Sequence, residues 1–167
     1  MTEAGQDLHT TFAGDEALDA LWTKAYQGEV LGEALFAGMA DSCEPTERAR
    51  KLRVLAEVER RTREAMVPAM QRAGLSTAAD PEAVHNGELL AEGSRALPWA
   101  DFMASFEPIT TEFLAVYTRI GELDPSERET ADLLVAHERA LQDFARAELA
   151  GESEHSVEVL EALPHMR

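Results

Sequence analysis

The feature that most constrains the fold of this chain is an apolar pattern of helical period in four long stretches. In each stretch apolar residues recur after three or four positions, a spacing that places their side chains on one face of an α-helix. β-branched residues are sparse, and no stretch alternates convincingly between apolar and polar residues as a half-buried strand would. The sequence therefore predicts an all-helical protein.

End signals divide this pattern into elements. Gly74 is a stop signal, and Asp80-Pro81 and Asp124-Pro125 each supply an N-cap residue followed by proline at the first helical position. Pro108 should kink or interrupt the helix that contains it. The predicted elements are helix A (about 15–40), helix B (about 46–73), a short helix (81–94), helix C (98–120), helix D (124–151) and a final short helix that Ser153 caps and that ends at Leu163.

The connections between the helices indicate the architecture. Helices A and B are joined tightly, as are C and D, whereas a long crossover joins B to C. We expect residues 15–167 to form one domain, preceded by a flexible segment, 1–14. The spacing predicts apolar inward faces, which in helix B comprise Leu52, Leu55, Val58, Thr62, Met66 and Met70, and in helix C comprise Phe102, Phe106, Ile109, Phe113, Val116 and Ile120.

Composition excludes several function classes. The net charge of -17 disfavours binding to nucleic acid or to an anionic membrane surface, because both require a basic face. There is no apolar run of about 18 residues and no secretory signal pattern at the N-terminus, so we expect no membrane span. The one cysteine, Cys43, cannot form an internal disulfide, which favours a cytoplasmic location. The locally basic stretch 47–72 has two interpretations: a solvated helix face that pairs with acidic neighbours, or a site for an anionic ligand.

Two ionisable residues, His137 and Glu138, interrupt the apolar face of helix D within the stretch LLVAHERALQDF. Leu134 and Leu141 lie four residues before and three after Glu138, so they share its face. Burial of an ionised side chain is costly unless the side chain is paired or binds a metal ion. The sequence therefore requires partners for these two residues.

Distances from the interhelical turns identify those partners. Glu29 and Glu59 are each 15 residues from Glu44, so they should meet at one depth if helices A and B form a hairpin about that residue. The same estimate about Asp124 places Glu138 opposite Thr110, with Glu112 displaced by roughly 3 Å along the helix axis. Carboxylates that converge in a core must share protons, meet cations or bind a metal ion.

These stretches resemble the ferritin-like superfamily, which includes rubrerythrin-like proteins and di-iron carboxylate enzymes. The resemblance rests on YQGEVLGEALFAGMA in helix A, LRVLAEVERRTREAMVPAM in helix B and AHERALQDFARAELAG in helix D. It implies a four-helix bundle with one long crossover, in which two helices each supply a Glu and two each supply Glu-x-x-His. Here Thr62 and Leu141 occupy the positions of the two histidines.

The resemblance implies one or two metal ions at mid-bundle. Glu29 or Glu33, together with Glu59, Glu112 and Glu138, would supply oxygen ligands, and His137 would supply the nitrogen ligand. Such ligands favour iron or manganese, with magnesium or calcium as alternatives. The implied activities are oxidation or hydroxylation of a small-molecule substrate, or metal handling, with Tyr26 or Trp22 placed for electron transfer.

A metal-free interpretation remains open. Glu29 or Glu138 would then pair with Arg60, Arg63 or Arg139, and the bundle would bind a small molecule or a partner protein. The amphipathic helices also allow a homodimer. No role is predicted for the four remaining histidines, which lie in polar segments: His9, His85, His155 and His165.

Overall fold

A computed structural model describes residues 18–42 and 46–167, and all the regular elements in these two ranges are helices. The predicted all-helical class is confirmed. The segment 1–14, the predicted start of helix A and Cys43 lie outside the described residues. The helices are α1 (Leu18–Ser42), α2 (Glu47–Arg72), α3 (Pro81–Ser94), α4 (Trp99–Ala104), α5 (Phe106–Leu123), α6 (Arg128–Ala150) and α7 (Glu158–Glu161), with short 3-10 turns at Pro125–Glu127 and Pro164–Met166.

Most of the predicted end signals act as expected. The Asp80 side chain accepts a hydrogen bond from the Glu82 backbone N–H at the start of α3. Gly74 and Gly151 follow α2 and α6 with positive φ angles of 71° and 81°, a conformation that glycine adopts without steric cost. The start of α6 differs from the prediction, because Pro125–Glu127 forms a 3-10 turn and the Glu127 carboxylate binds Arg72 of α2 instead of capping the helix.

Predicted helix C is interrupted at Ser105, one turn before Pro108. Proline has no N–H to donate to the carbonyl four residues earlier, and its ring collides with that carbonyl, so a new helix must begin near it. Pro108 therefore lies in the first turn of α5. The inward stripe continues from Phe106 to Thr110, which is buried, and the prediction that Ile109 points inward is wrong because Ile109 is 53% exposed.

The long helices enclose two separate apolar clusters. α1 contacts α2, α3 and α5, while α6 contacts α5 and α2. One cluster includes Phe36, Leu55 and Phe144, and the other includes Trp22, Met66 and Leu134. In sequence, Glu29 of α1, Glu59 of α2, and His137 and Glu138 of α6 fall between members of the two clusters. A polar layer thus divides the apolar interior.

The C-terminal segment is held against α2 and α6 by a buried ion pair. The Lys51 side chain, 1% exposed, donates to the carboxylate of Glu148, which is 3% exposed. Glu148 also accepts from Trp99 Nε1 (2.7 Å) and from the hydroxyls of Ser153 and Ser156. Ser153 therefore binds Glu148 instead of capping a helix, and α7 begins only at Glu158.

The basic stretch of α2 pairs with acidic neighbours, as one of the two interpretations predicted. Its ion pairs, in addition to Lys51–Glu148, are Arg50–Glu47, Arg60–Glu57, Arg60–Glu64, Arg61–Glu57, Arg63–Glu33 and Arg72–Glu127. Most of these side chains are at least partly exposed, so each pair contributes little stability. Within the described residues, no helix is long and apolar enough to cross a membrane.

Replacement of Gly87 by alanine should separate α3 from α1. A Cβ atom at Gly87 would lie 2.5 Å from the Leu31 carbonyl oxygen and 2.7 Å from Ala34 Cβ, neither of which is a flexible chain end. We expect Gly87→Ala to lower the free energy of unfolding by about 1–3 kcal/mol in urea denaturation. The matched control is Gly93→Ala in the same helix, which meets no atom within 4 Å and should stabilise by about 0.5–1 kcal/mol. Equal effects of the two variants would contradict the observed packing.

Replacement of Glu148 by glutamine should destabilise the protein most at neutral pH. Burial raises the pKa of Glu148, but the hydrogen bonds from Lys51, Ser156, Trp99 and Ser153 outweigh it and leave the pKa below 4.5. The carboxylate therefore stabilises the fold fully above pH 4.5, and this contribution is lost as the pH falls through the folded-state pKa.

We expect Glu148→Gln to lower the free energy of unfolding by about 3 kcal/mol at pH 7, because it leaves the Lys51 ammonium buried without a counter-charge. The difference from the natural chain should shrink at pH 3. Glu88→Gln, at an exposed position of α3, is the control and should change stability by less than about 0.5 kcal/mol at either pH. A difference that grew on acidification would contradict this role of Glu148.

Candidate functional site

Four ionisable side chains from three helices meet in the polar layer. Glu29 lies on α1, Glu59 on α2, and His137 and Glu138 on α6, and all four are buried. His137 Nε2 is 3.3 Å from Glu29 Oε2 and 3.8 Å from Glu59 Oε2. The predicted meeting of Glu29 with Glu59 is therefore confirmed, and both carboxyls lie beside His137.

Gly32 makes room for the Glu59 carboxyl. A Cβ atom at Gly32 would lie 2.6 Å from Glu59 Oε2, closer than side chains approach one another. Gly28, one turn earlier, is covered in the same way by the ring of Phe113, which would lie 2.5 Å from a Cβ atom there. Side chains of α2 and α5 thus approach α1 closely at these two glycines.

Tyr117 is a member of the cluster that the sequence analysis did not identify. Its buried hydroxyl donates a hydrogen bond of 2.6 Å to Glu29 Oε1. Tyr117 lies four residues after Phe113 and seven after Thr110, so helical spacing from those residues could have placed it on the inward face. The Tyr26 hydroxyl instead donates to the Thr77 carbonyl.

A hydrogen-bonded chain of two histidines and a threonine extends from the cluster. Thr62 Oγ1 lies 3.2 Å from His137 Nδ1 and 2.9 Å from His165 Nε2. His165 comes from the C-terminal 3-10 turn, which contacts α2. The sequence analysis assigned no role to His165, and the structure places it in hydrogen-bond contact with Thr62. Local sequence carries no signal for this contact, because it depends on where the end of the chain folds back.

Two tautomeric arrangements satisfy the chain of Thr62 and the two histidines. In one, His137 Nδ1–H donates to Thr62, whose hydroxyl donates to His165 Nε2. This arrangement leaves the lone pair of His137 Nε2 directed away from Thr62, on the side of Glu29 and Glu59. An imidazole that binds a metal ion has this form, with its second nitrogen donating to a fixed acceptor.

Burial raises the pKa of each carboxyl in the cluster. Desolvation raises the pKa of Glu29 to about 7, against hydrogen bonds from Glu59 and Tyr117 that lower it. The pKa values of Glu59 and Glu138 lie well above 4.5. Desolvation is the largest cause, and the charge of Glu29 is the second. Desolvation also lowers the pKa of His137 to about 3, so its imidazole is neutral at pH 7 and its nitrogen is available as a ligand.

Three buried polar atoms of this cluster lack a hydrogen-bond partner among the described residues. They are Glu29 Oε2, His137 Nε2 and Glu138 Oε2. Although Glu29 Oε2 and His137 Nε2 lie near each other, their geometry does not form a hydrogen bond. Potential ligand atoms of Glu29, His137 and Glu138 all lie within 4.8 Å of one another. Buried polar atoms are normally paired, so their convergence here requires an explanation.

Two predicted ligands lie outside this cluster. Glu112 is on the outer face of α5, where its side chain is 63% exposed and binds Lys24 at 3.0 Å. The prediction that Glu112 reaches the interior is wrong, because the helix begins again near Pro108 and Thr110 takes the inward position. Glu33 is partly buried, and its carboxylate accepts from Arg63 Nη2 at 2.7 Å. Glu33 therefore neutralises Arg63, and Glu29 is the α1 residue that points into the cluster.

The predicted ion pairs between arginines and the central carboxylates do not form. Arg60 binds Glu57 and Glu64, Arg63 binds Glu33, and Arg139 is exposed. Among the described residues, no ion pair joins an arginine to Glu29 or Glu138. The charge of Arg63 still lowers the pKa of Glu29, but less than burial raises it.

An apolar cavity of about 140 Å³ borders the cluster. Its walls are mainly aromatic and aliphatic side chains of α1, α4, α5 and α6, including Phe106, Phe113 and Leu141. Glu29, Glu59, Tyr117 and Glu138 also line it. The cavity therefore joins an apolar space to the polar layer.

Comparisons with protein-family models, curated proteins and solved structures found no match to this chain. The resemblance to the ferritin-like superfamily consequently stays a prediction.

Removal of the Tyr117 hydroxyl should destabilise the cluster. In Tyr117→Phe, Glu29 Oε1 would lose the hydrogen bond that the Tyr117 hydroxyl donates. We expect the free energy of unfolding of metal-free protein to fall by about 1–3 kcal/mol, measured by urea denaturation at pH 7. A change below about 0.5 kcal/mol would show that the Tyr117 hydroxyl does not support Glu29.

Proposed function

We propose that this chain is a ferritin-like four-helix bundle that binds a divalent metal ion, iron or manganese, through Glu29, His137 and Glu138. Two observations together carry the proposal. Glu29, His137 and Glu138 each have a buried polar atom without a partner among the described residues, and potential ligand atoms of the three residues lie within 4.8 Å of one another. Glu59 is a fourth candidate ligand because its carboxyl lies beside His137 Nε2.

A divalent cation would compensate this cluster electrostatically. The carboxyls of Glu29, Glu59 and Glu138 repel one another when ionised, and the described residues supply no ion pair to Glu29 or Glu138. A bound cation favours the ionised form of a carboxylate and therefore reverses the effect of burial on its pKa. Carboxylate oxygens with one neutral imidazole form a donor set that suits iron or manganese.

The residues at the two expected histidine positions favour one ion over two. Thr62 is engaged by His137 and His165, and Leu141 lines the apolar cavity. Among the described residues, only His137 places an imidazole nitrogen within 4 Å of a carboxylate of the cluster. A second ion would have carboxylate ligands without a nitrogen ligand of its own.

The helix contacts support the ferritin-like layout. α1 pairs with α2 and α5 pairs with α6, and these pairs meet through α1–α5 and α2–α6 contacts. The chain between α2 and α5 carries α3 along α1, which is the position of a long crossover. A homodimer and a cytoplasmic location stay predictions from the sequence.

The proposed activity is oxidation, hydroxylation or metal handling. Bound iron or manganese would supply redox chemistry that carboxylates and imidazole cannot perform alone. The chain contributes a buried position that excludes bulk water, a Tyr117 hydroxyl that holds Glu29, and Thr62 as the partner that orients His137. These contacts are consistent with an enzyme and equally with metal storage.

Metal binding can be tested by titration of Mn²⁺ into protein dialysed against EDTA. We expect about one ion per chain by calorimetry, and at least tenfold weaker binding in Glu138→Gln and His137→Gln. Glu112→Gln is the matched control, because it removes one carboxylate from the exposed face of α5, and its Mn²⁺ affinity should match that of the natural chain. Anomalous scattering from a Mn²⁺-soaked crystal should place the ion between Glu29, His137 and Glu138.

The absence of a stoichiometric ion with both Mn²⁺ and Fe²⁺ would contradict the metal proposal. The second candidate function is a metal-free scaffold that binds a small molecule or a partner protein. The cavity beside the cluster favours the small-molecule form of this candidate. The raised carboxyl pKa values also favour it, because they allow the cluster to remain neutral without a metal ion.

A further inference from the structure

The apolar cavity has the size of a single aromatic ring. Its volume of about 140 Å³ is close to that of engineered apolar cavities of roughly 150 Å³, which stay dry and bind benzene. Aromatic side chains from α1, α4 and α5 form much of its wall, including Phe36, Phe102, Phe106 and Phe113. A water molecule needs two to four polar partners, and these walls offer few. The cavity therefore favours an apolar ligand over water.

The inner end of the cavity presents a hydrogen-bond acceptor. Glu138 lines the cavity, and its buried Oε2 atom has no hydrogen-bond partner within the described ranges. Glu29 also lines the cavity, but its Oε1 atom already accepts from Tyr117. Glu59, the third carboxyl that lines the cavity, forms a hydrogen bond with Glu29, so Glu138 is the least occupied of the three. A ligand that carries one hydroxyl next to its ring would place a hydrogen-bond donor beside the Glu138 carboxyl.

The outer end of the cavity has apolar side chains at the surface. Leu90 on α3 and Ile109 on α5 both line the cavity, and they are 49% and 53% exposed. They mark a place where an apolar molecule can reach the interior. The break at Ser105 contributes to this opening, because the new helix directs Ile109 outward while Thr110 lines the interior.

We propose that this cavity binds a small phenol, with the ring between Phe106, Phe113 and Leu141 and the hydroxyl donating to Glu138. Leu141, at one of the expected histidine positions, extends the apolar wall up to the polar layer. Binding of a phenol does not require a metal ion. Only the further step, in which the phenol is a substrate of the metal centre, rests on the proposed function.

The direct test is a titration of 4-fluorophenol into the full chain dialysed against EDTA, followed by ¹⁹F NMR. We expect saturable binding with a dissociation constant of about 1 mM or tighter, an affinity within reach of a ligand of this size. Fluorobenzene, which has the ring without the hydroxyl, is the second probe. Non-saturable behaviour of 4-fluorophenol would overturn the proposal.

Two variants of Leu141 test where the ligand binds. Leu141→Phe should fill part of the cavity and weaken 4-fluorophenol binding at least tenfold, whereas Leu149→Phe, at a 49% exposed position of the same helix, should leave binding unchanged. Leu141→Ala should enlarge the cavity and improve binding of 2-naphthol relative to 4-fluorophenol. Circular dichroism would show whether Leu141→Phe folds. If it does not fold, Leu141→Ala still tests the proposal. Unchanged binding in folded Leu141→Phe, or no gain for 2-naphthol in Leu141→Ala, would overturn the assigned site.

Glu138→Leu tests the polar contact. We expect it to weaken 4-fluorophenol binding at least tenfold while fluorobenzene binds as well as before or better. Equal weakening of the binding of both probes would overturn the assignment of Glu138 as the acceptor.

The Mn²⁺ titration separates the two proposals, because Leu141→Phe should keep its affinity for Mn²⁺ while it loses its affinity for 4-fluorophenol. Mn²⁺ binding without phenol binding would overturn only this inference, and phenol binding without Mn²⁺ binding would overturn only the metal centre.

Discussion

A layer of ionisable side chains lies between the two apolar clusters, and the rest of the interior is arranged around it. Glu29, Glu59, His137 and Glu138 have almost no access to water, so other groups must satisfy or neutralise them. Gly32 leaves space for one carboxyl, and the Tyr117 hydroxyl holds another. Three atoms still have no partner among the described residues, which is why we infer a metal ion at this point.

The position of the C-terminal segment affects this layer through His165. The buried Lys51–Glu148 pair fixes the chain after α6, and the chain then returns along α2 to bring His165 to Thr62. Thr62 in turn contacts His137, the one imidazole in the cluster. The ion pair between α2 and α6 thereby supports, through the C-terminal segment, the orientation of His137, a buried residue elsewhere on α6.

Two side chains beside the candidate site occupy positions where histidines were expected. Thr62 and Leu141 lie where the resemblance implies histidines, and each has a different role here. Thr62 extends a hydrogen-bonded chain towards the C-terminus, whereas Leu141 contributes an apolar wall to a cavity of about 140 Å³. Leu141 supplies no metal-binding group where the resemblance implies one, and its side chain lines the cavity beside the polar layer.

Helical periodicity by itself determined the all-helical class, the approximate helix bounds and the meeting of Glu29 with Glu59, because these depend on spacing along one or two adjacent helices. It failed where the chain changes direction. The helix restarts near Pro108, which placed Thr110 inside and left Ile109 and Glu112 at the surface. Helical spacing could also have placed Tyr117 on the inward face, but only the tertiary structure decided that its hydroxyl meets Glu29, that His165 reaches Thr62 and that a cavity borders the cluster. These contacts join segments distant in sequence, whose packing no local pattern records.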